Sequence, residues 1–240
     1  MSSSWCAPLP RDVGVVVVAA GRGERLGGTP KQYREIAGVP MLLRSIRPFV
    51  AHPDVVRVII VLRPEDAGAP PPWLAQLAGG ALDIVAGGAE RADSVGAGLA
   101  ALPPACDVVL VHDAARPFVG REVIDAVIAE ARAGRSAIAA VPVSDTLKEA
   151  SADGRTIERT VPRDRLWRAQ TPQGFPRRVL EAAHAAGRGG PPATDDSALI
   201  ERSGGVVRLI PDSPHNFKIT TADDLALAEL WARHGERMPA

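Results

Sequence analysis

The sequence predicts a three-layer α/β sandwich in which helices cover both faces of a mostly parallel, Rossmann-like sheet. Apolar runs rich in valine and isoleucine recur along the chain, and they are continuous rather than alternating, which is typical of strands buried on both faces. Between them lie segments whose apolar residues are spaced by three and four, as in amphipathic helices. The repeated order of strand, helix and strand implies right-handed crossovers and parallel pairing.

The predicted elements follow one another in a regular order. Strands are predicted at 13–19, 55–62, 81–85, 108–112, 137–141 and 206–210. Helices are predicted at 41–52, 94–102, 122–133 and 222–234. Sheets of this kind bind ligands in the crevice beyond the carboxyl ends of their strands. Glycines and charged residues fall at those ends, namely Gly21 and Gly23 after the first strand, Gly87 and Gly88 after the third, and 113–116 after the fourth.

The regular alternation stops between residues 142 and 173. This stretch contains short extended pieces around an Asp-Gly turn at 153–154, which predicts a protruding β-arm inserted into the domain. An isolated hairpin is marginal in water, so we expect the arm to pack against a second subunit.

Composition bounds the class of protein. The 240 residues, 46% of them hydrophobic, suit a single domain at 13–235 preceded by a flexible extension at 1–12. The 28 basic residues cancel the 28 acidic ones, so no basic field argues for nucleic acid or an anionic membrane surface.

No apolar run approaches the roughly 18 residues of a membrane span, and no secretory signal is recognisable, so we expect a cytoplasmic protein. Cys6 and Cys106 form neither a disulfide framework nor a metal-ligand cluster.

The loop after the first strand is crowded with glycine and positive charge. Its sequence, VVVVAAGRGERLGGTPKQY at 15–33, fits a dinucleotide-binding fingerprint poorly, because Leu26 stands where the third glycine belongs. No glycine there is followed by Lys and then Ser or Thr, which excludes a P-loop. The remaining interpretation takes Arg22, Arg25 and Lys31 as cations assembled around a triphosphate. Lys31 is informative because the chain has only two other lysines, Lys148 and Lys218.

Several motifs resemble one enzyme family. AAGRGERLGGTPKQY is similar to the signature loop of the nucleotidyltransferases that couple a nucleoside triphosphate to a phosphorylated sugar or sugar alcohol. The cytidylyltransferase branch of that group is resembled by GGAERADSVGAGL, VHDAARPF, DTLK, LWRAQTPQGF, ATDDS and NFKITTADDLALAE, which begin at residues 87, 111, 145, 166, 193 and 216. Within this branch the chain most resembles the cytidylyltransferases of the non-mevalonate isoprenoid pathway, which act on 2-C-methyl-D-erythritol 4-phosphate. The resemblance extends in order from residue 13 to about residue 231.

The resemblance implies a reaction and the residues that carry it. CMP would pass from CTP to 2-C-methyl-D-erythritol 4-phosphate by in-line attack on the α-phosphate, giving 4-diphosphocytidyl-2-C-methyl-D-erythritol and pyrophosphate. The CTP-binding residues would be Ala19, Ala20, Gly21, Gly23, Arg25, Lys31, Gly88, Arg91, Ser94 and Asp113. The acceptor would be bound by Asp113, Arg116, Thr146, Arg163, Thr171 and Lys218, and the catalytic residues would be Arg25, Lys31, Arg163 and Lys218.

A metal ion and a second subunit are also expected. The hard oxygens of a triphosphate favour Mg2+, and Asp113 is the candidate metal ligand. The resemblance implies a homodimer with exchanged arms, in which Thr146 and Arg163 reach the acceptor bound by the neighbouring subunit.

Three alternatives stay open at the level of sequence. A ribitol 5-phosphate cytidylyltransferase would share the loop and much of the remainder. A nicotinamide-dependent dehydrogenase is disfavoured, because the second strand ends in Leu62, Arg63 and Pro64 without the acid that binds ribose. A non-catalytic nucleotide-binding regulator on the same fold is the third. For individual residues, two simpler interpretations also stay open: an ion pair of Asp113 with Arg116, and a place for Ser94 at the cap or in the first turn of a helix.

Overall fold

The computed structural model describes residues 11–21 and 30–235. The described strands are β1 (Val13–Val18), β2 (Glu35–Ile36), β3 (Val39–Pro40), β4 (Val55–Leu62), β5 (Leu82–Ala86), β6 (Val108–Asp113), β7 (Ser136–Pro142), β8 (Leu147–Ala150), β9 (Ile157–Val161), β10 (Trp167–Pro176) and β11 (Val207–Pro211). The described helices are α1 (Met41–Val50), α2 (Pro64–Gly68), α3 (Pro72–Ala75), α4 (Arg91–Ala101), α5 (Arg121–Arg132), α6 (Arg177–Gly187), α7 (Asp196–Arg202) and α8 (Ala222–Gly235).

Seven of these strands form the central sheet, in the order β11-β7-β10-β6-β1-β4-β5. The pairs β1 with β4, β1 with β6, β4 with β5 and β11 with β7 are parallel, whereas β10 runs antiparallel to both of its neighbours. The predicted mostly parallel sheet is therefore confirmed. Val18 pairs with Val61 on one side and Asp113 on the other, so β1, β4 and β6 end at the same edge of the sheet.

Helices cover both faces, which confirms the three-layer prediction. Val15 and Val17 of β1 face α1 and α5, whereas Val16 faces α4, α6 and α7. All three valines are fully buried, and burial of such a side chain stabilises the fold by roughly 1.5–3 kcal/mol. Gly98 lets α4 approach the sheet closely, because a Cβ at this position would lie 2.5 Å from Val16 Cγ1.

The arm is shorter than the predicted 142–173. β8 and β9 pair antiparallel as a two-stranded sheet of their own, joined by a turn in which Gly154 has a φ of +69°. β10 then returns to the central sheet, where Trp167 pairs with Pro142 and Gln173 with Ile138. The sequence hides this strand because RAQTPQGF contains no apolar run, although Gln170, Thr171 and Gln173 are buried. Within the described residues, the helices are too short or too polar to cross a bilayer.

Candidate active site

A cleft of about 770 Å³ opens at the edge of the sheet where β1, β4, β5 and β6 end. Three stretches of chain form most of its wall: the end of β1, the β5–α4 loop, and the end of β6. It brings together predicted site residues from distant parts of the chain, namely Ala19, Ala20, Gly21, Lys31, Gly88, Arg91, Ser94, Asp113 and Lys218. The common edge of parallel strands explains this convergence, because each strand delivers the residues that follow it to the same place.

The β5–α4 loop is packed closely against the helix that it opens. A Cβ on Gly88 would lie 2.3 Å from Asp93 Cβ, so this position requires glycine. Glu90 is the N-cap of α4 and forms a reciprocal capping box with Asp93, whose carboxylate accepts the Glu90 N–H at 3.0 Å. Ser94 is therefore an early helical residue and not the cap, and it lies at the cleft wall.

Lys31 also lines the cleft. It begins a single 3-10 turn, Lys31–Tyr33, and its Nζ donates a hydrogen bond to the carbonyl oxygen of Ile219 at 3.2 Å. This bond connects the turn to the segment that carries Lys218, although the two parts lie far apart in sequence. Two of the three lysines of the chain thus line one cleft.

Asp113 is the acidic centre of the cleft. Its Oδ2 accepts a hydrogen bond from Lys218 Nζ at 2.7 Å, and its Oδ1 lies 3.7 Å from Arg91 Nη2. Burial alone would raise the pKa of this carboxyl, but the charges of Lys218 and Arg91 outweigh burial and lower it to about 2. Asp113 is therefore a carboxylate throughout the neutral range.

Arg116 does not form the simple pair with Asp113 that the sequence left open. Its guanidinium donates to the carbonyl oxygens of Asn216 at 2.8 Å and Ala169 at 3.3 Å, and burial lowers its pKa. These bonds tie the end of β6 to β10 and to the segment before α8. Arg116 is buried behind the cleft wall, and its predicted contact with the acceptor stays a prediction.

His112 and Thr171 form a buried chain of hydrogen bonds behind Asp113. His112 Nε2 lies 3.1 Å from the carbonyl oxygen of Arg116, so it carries the proton, and Nδ1 accepts the Thr171 hydroxyl at 3.0 Å. The Thr171 oxygen in turn accepts the N–H of Asp113 at 3.0 Å. This arrangement gives His112 a structural role, and it places Thr171 where it orients Asp113.

The burial of His112 makes the stability of the fold depend on pH. Burial lowers the pKa of His112 from 6.5 to about 4, so between these values the unfolded chain binds a proton that the folded chain does not. Stability present above pH 6.5 is therefore lost as the pH falls towards 4. We expect this residue to remove about 2 kcal/mol from the free energy of unfolding between about pH 7 and pH 5. Urea denaturation of the wild type and of His112→Gln at both pH values measures this change in the free energy of unfolding. An equal change in the two proteins would contradict the assignment to His112.

The other predicted residues lie outside this cleft. Thr146 and Arg163 are exposed on the arm, and the Arg163 guanidinium donates to the carbonyl oxygen of Ser144. Gly23 and Arg25 lie outside the described residues.

The donor set for a metal ion is sparse. Within residues 11–21 and 30–235, no group of three or more His, Cys, Asp or Glu side chains is placed to hold an ion. Asp113 is one carboxylate at the cleft, and its two oxygens already face Lys218 and Arg91. The described residues therefore do not form a metal site by themselves, and a bound Mg2+ would need the phosphates of a nucleotide for most of its ligands.

Two site residues escaped the sequence reasoning. Arg63 lines the cleft at the end of β4, where its Nε donates to Asp66 Oδ2 at 2.9 Å. Ligands of such sheets lie beyond the strand ends, so this position could have been predicted. In the sequence, however, this strand end was used only to argue against a dehydrogenase, because it lacks the acid that binds ribose. Asp196 lies behind Arg91, 105 residues away in sequence, and no local pattern signals that contact.

A mostly parallel α/β sheet whose strand-end cleft combines a glycine loop with two lysines is the architecture expected of a nucleotidyltransferase. The family model for IspD, 2-C-methyl-D-erythritol 4-phosphate cytidylyltransferase, matches residues 13–234. The chain belongs to this family of cytidylyltransferase enzymes, which confirms the resemblance seen in the motifs.

Relatives and solved structures agree with this membership. The chain is 47% identical to the 2-C-methyl-D-erythritol 4-phosphate cytidylyltransferase of Frankia casuarinae, over 90% of this chain and 80% of that protein. It is 48% identical to the bifunctional enzyme IspD/IspF of Rhodospirillum rubrum, over 94% of this chain but only 58% of that protein. The crystal structure of 2-C-methyl-D-erythritol 4-phosphate cytidylyltransferase from Thermus thermophilus matches with a TM-score of 0.77 at 36% identity, covering 92% of this chain and 99% of that one.

Proposed function

We propose that this chain transfers the cytidylyl group of CTP to 2-C-methyl-D-erythritol 4-phosphate and releases pyrophosphate. The observation that carries the proposal is the cleft that unites Lys31, Lys218 and the ionised Asp113 with the glycine loop before α4. Its shape and charge suit a nucleoside triphosphate on one side and a phosphorylated polyol on the other. Membership of the family adds the identity of both substrates.

The chemistry requires positioned cations more than it requires a nucleophile. A phosphate oxygen of the acceptor attacks the α-phosphorus of CTP, a bond to that oxygen forms, and the bond to the leaving pyrophosphate breaks in line. Two anions must approach each other while negative charge grows on the phosphoryl oxygens. The acceptor phosphate is already ionised at neutral pH, so no protein base is needed to activate it. Lys31 stabilises the charge at the α-phosphate in this proposal, and Arg25 is expected to assist.

In this proposal, the two substrates bind at different parts of the cleft. The start of α4, with Gly88 and Ser94, offers backbone and hydroxyl groups to the cytidine. Asp113 stands between Lys218 and Arg91, where its carboxylate can accept hydrogen bonds from acceptor hydroxyls while Lys218 faces the acceptor phosphate. Because Asp113 stays ionised in this setting, it presents only acceptor oxygens to a polyol.

We propose that Mg2+ enters as the complex with CTP. No three His, Cys, Asp or Glu side chains of the described residues come together to hold an ion, which fits an ion held mainly by phosphate oxygens, and the ion would reduce the negative charge of the triphosphate. Direct coordination by Asp113 gains no support from its two cationic neighbours. The cytoplasmic location expected from the sequence stays a prediction.

We also propose that the active unit is a homodimer with exchanged arms. The β8–β9 hairpin of the arm pairs only within itself among the described strands, and it exposes the Ile157 side chain to solvent at 65%. Thr146 and Arg163 lie on this arm rather than in the cleft of their own chain, which suits residues that serve a neighbour. Light scattering at assay concentration should give twice the 25.2 kDa of one chain. A monomer that is fully active would overturn the exchange.

The test of function offers two acceptors in parallel. Pyrophosphate release is followed with CTP and Mg2+, using 2-C-methyl-D-erythritol 4-phosphate in one series and ribitol 5-phosphate in the other, with chelation of the metal as a control. We expect fast release with the first acceptor and at least about 100-fold lower kcat/KM with the second, because a site built for one pattern of hydroxyls rejects another. Preference for ribitol 5-phosphate would keep the chemistry and change the acceptor, and silence with both would favour a regulator that only binds nucleotide.

A further inference from the structure

We propose that Asp196 is a positioning residue that fixes the Arg91 guanidinium at the wall of the CTP cleft. Asp196 belongs to ATDDS at 193–197, one of the motifs that resemble the cytidylyltransferases, to which no role has yet been assigned. The inference rests on the proposed function in that CTP is taken to occupy the cleft.

Asp196 is a fully buried carboxylate with two cation-capable neighbours. Its Oδ2 accepts a hydrogen bond from Arg91 Nη1 at 2.7 Å, and its Oδ1 accepts from His184 Nε2 at 2.9 Å. Its backbone N–H donates to Gln173 Oε1 at 3.2 Å. A buried charge is stable only when it is paired, so the Arg91 contact is a structural requirement and not a chance surface contact.

The buried hydrogen bond between Asp196 and Arg91 orients the Arg91 guanidinium at the cleft. The guanidinium is planar and rigid, so a bond that fixes Nη1 also fixes the direction of Nη2. Nη2 lies 3.7 Å from Asp113 Oδ1, at the cleft that Arg91 lines. Asp196 therefore sets the direction of a cation that the nucleotide is expected to meet, although Asp196 itself does not line the cleft.

Loss of the Asp196 carboxylate has a defined consequence. Without its anchor, the Arg91 side chain is free to turn further towards Asp113, the second carboxylate with which it forms an ion pair. Arg91 would then satisfy Asp113 and offer its donors to CTP in the wrong direction. The effect should appear in nucleotide affinity, because Lys31, the cation proposed to act at the α-phosphate, is unchanged.

The experiment compares Asp196→Asn with the matched variant Asp195→Asn. Asp195 is the neighbouring partly buried carboxylate, and it caps α7 by accepting the Ala198 N–H at 2.9 Å without contacting Arg91 by any hydrogen bond described for it. CTP binding is measured by calorimetry without acceptor, beside the melting temperature of each protein. We expect Asp196→Asn to weaken CTP binding about tenfold, as for loss of one charge-assisted hydrogen bond, and Asp195→Asn to change it by less than about twofold.

A double-mutant cycle separates positioning from a general loss of structure. If Asp196 acts through Arg91, Asp196→Asn should cause no further loss of CTP affinity in an Arg91→Ala background. Should Asp196→Asn fail to fold, Arg91→Lys takes its place, because lysine lacks the fork that holds Asp196 and faces the cleft at once, and the same loss is expected. Unchanged affinity in Asp196→Asn or Arg91→Lys, an equal loss in Asp195→Asn, or full additivity in the cycle would overturn the inference. A wild-type protein that does not bind CTP would instead overturn the proposed function.

Discussion

Replacing Lys31 with alanine is expected to lower kcat by at least about 100-fold, because a cation aimed at growing phosphoryl charge contributes roughly 3–4 kcal/mol to transition-state stabilisation. Lys31 is placed for this role at the cleft wall, where its Nζ is held by the carbonyl oxygen of Ile219. Steady-state pyrophosphate release at saturating CTP and acceptor measures the loss. KM for CTP should rise much less, since the interaction strengthens mainly in the transition state.

Lys31→Arg is the companion variant. It keeps the charge but replaces a compact ammonium with a planar fork, so we expect intermediate activity. The melting temperatures of both variants must stay near that of the wild type, because the Lys31 side chain also bonds to Ile219. If Lys31→Ala folds and keeps more than about a tenth of the wild-type kcat, Lys31 is not the cation that the reaction depends on.

Replacing Lys218 with methionine is expected to lower kcat/KM for the acceptor by about 100-fold and to make activity more sensitive to acid. Lys218 is the cation that contributes most to offsetting the burial of Asp113, and it helps to hold the pKa of that carboxyl at about 2. Without it the pKa of Asp113 rises, so protonation of the carboxylate enters the accessible pH range as the pH falls. The measurement is the pH profile of kcat/KM for the acceptor, from weakly acidic to neutral pH.

The third lysine of the chain supplies a matched control. Lys148 lies on the arm, where its Nζ donates to the Thr160 hydroxyl at 2.8 Å, away from Asp113. Lys148→Met removes the same charge from the same residue type, and it should leave the acid limb of the profile unmoved. An acid limb at the same pH in Lys218→Met and in the wild type would show that Lys218 does not set the ionisation of Asp113.

Most of the sheet could be predicted because its strands carry their own signal. β1, β4 and β6 are buried on both faces, and such burial requires continuous apolar runs that are visible in the sequence. β10 gives no such signal, since its buried part contains Gln170, Thr171 and Gln173, each of which hydrogen-bonds to a partner distant in sequence. Hydrogen bonds of that kind are set by tertiary contact, and no local pattern encodes them.

The candidate site likewise has a part that could be predicted from the sequence and a part that could not. Glycine loops and charges that follow strands could be placed at one edge by topology alone, and Lys31, Gly88 and Asp113 do meet there. The anchor of Arg91 on Asp196 could not be foreseen, because it joins residues 105 positions apart. Roles that came only from family resemblance, such as that of Arg163 on the arm, stay predictions until the dimer and the acceptor complex are measured.

The most direct measurement is a crystal structure of the protein with CTP and Mg2+. The α-phosphate should lie within hydrogen-bond reach of Lys31 Nζ, with the cytosine against Gly88 and Ser94, and with Asp113 and Lys218 free to receive the acceptor. CTP bound at another surface, or bound in the cleft with its phosphates away from Lys31, would contradict the assignment of this cleft as the site of cytidylyl transfer.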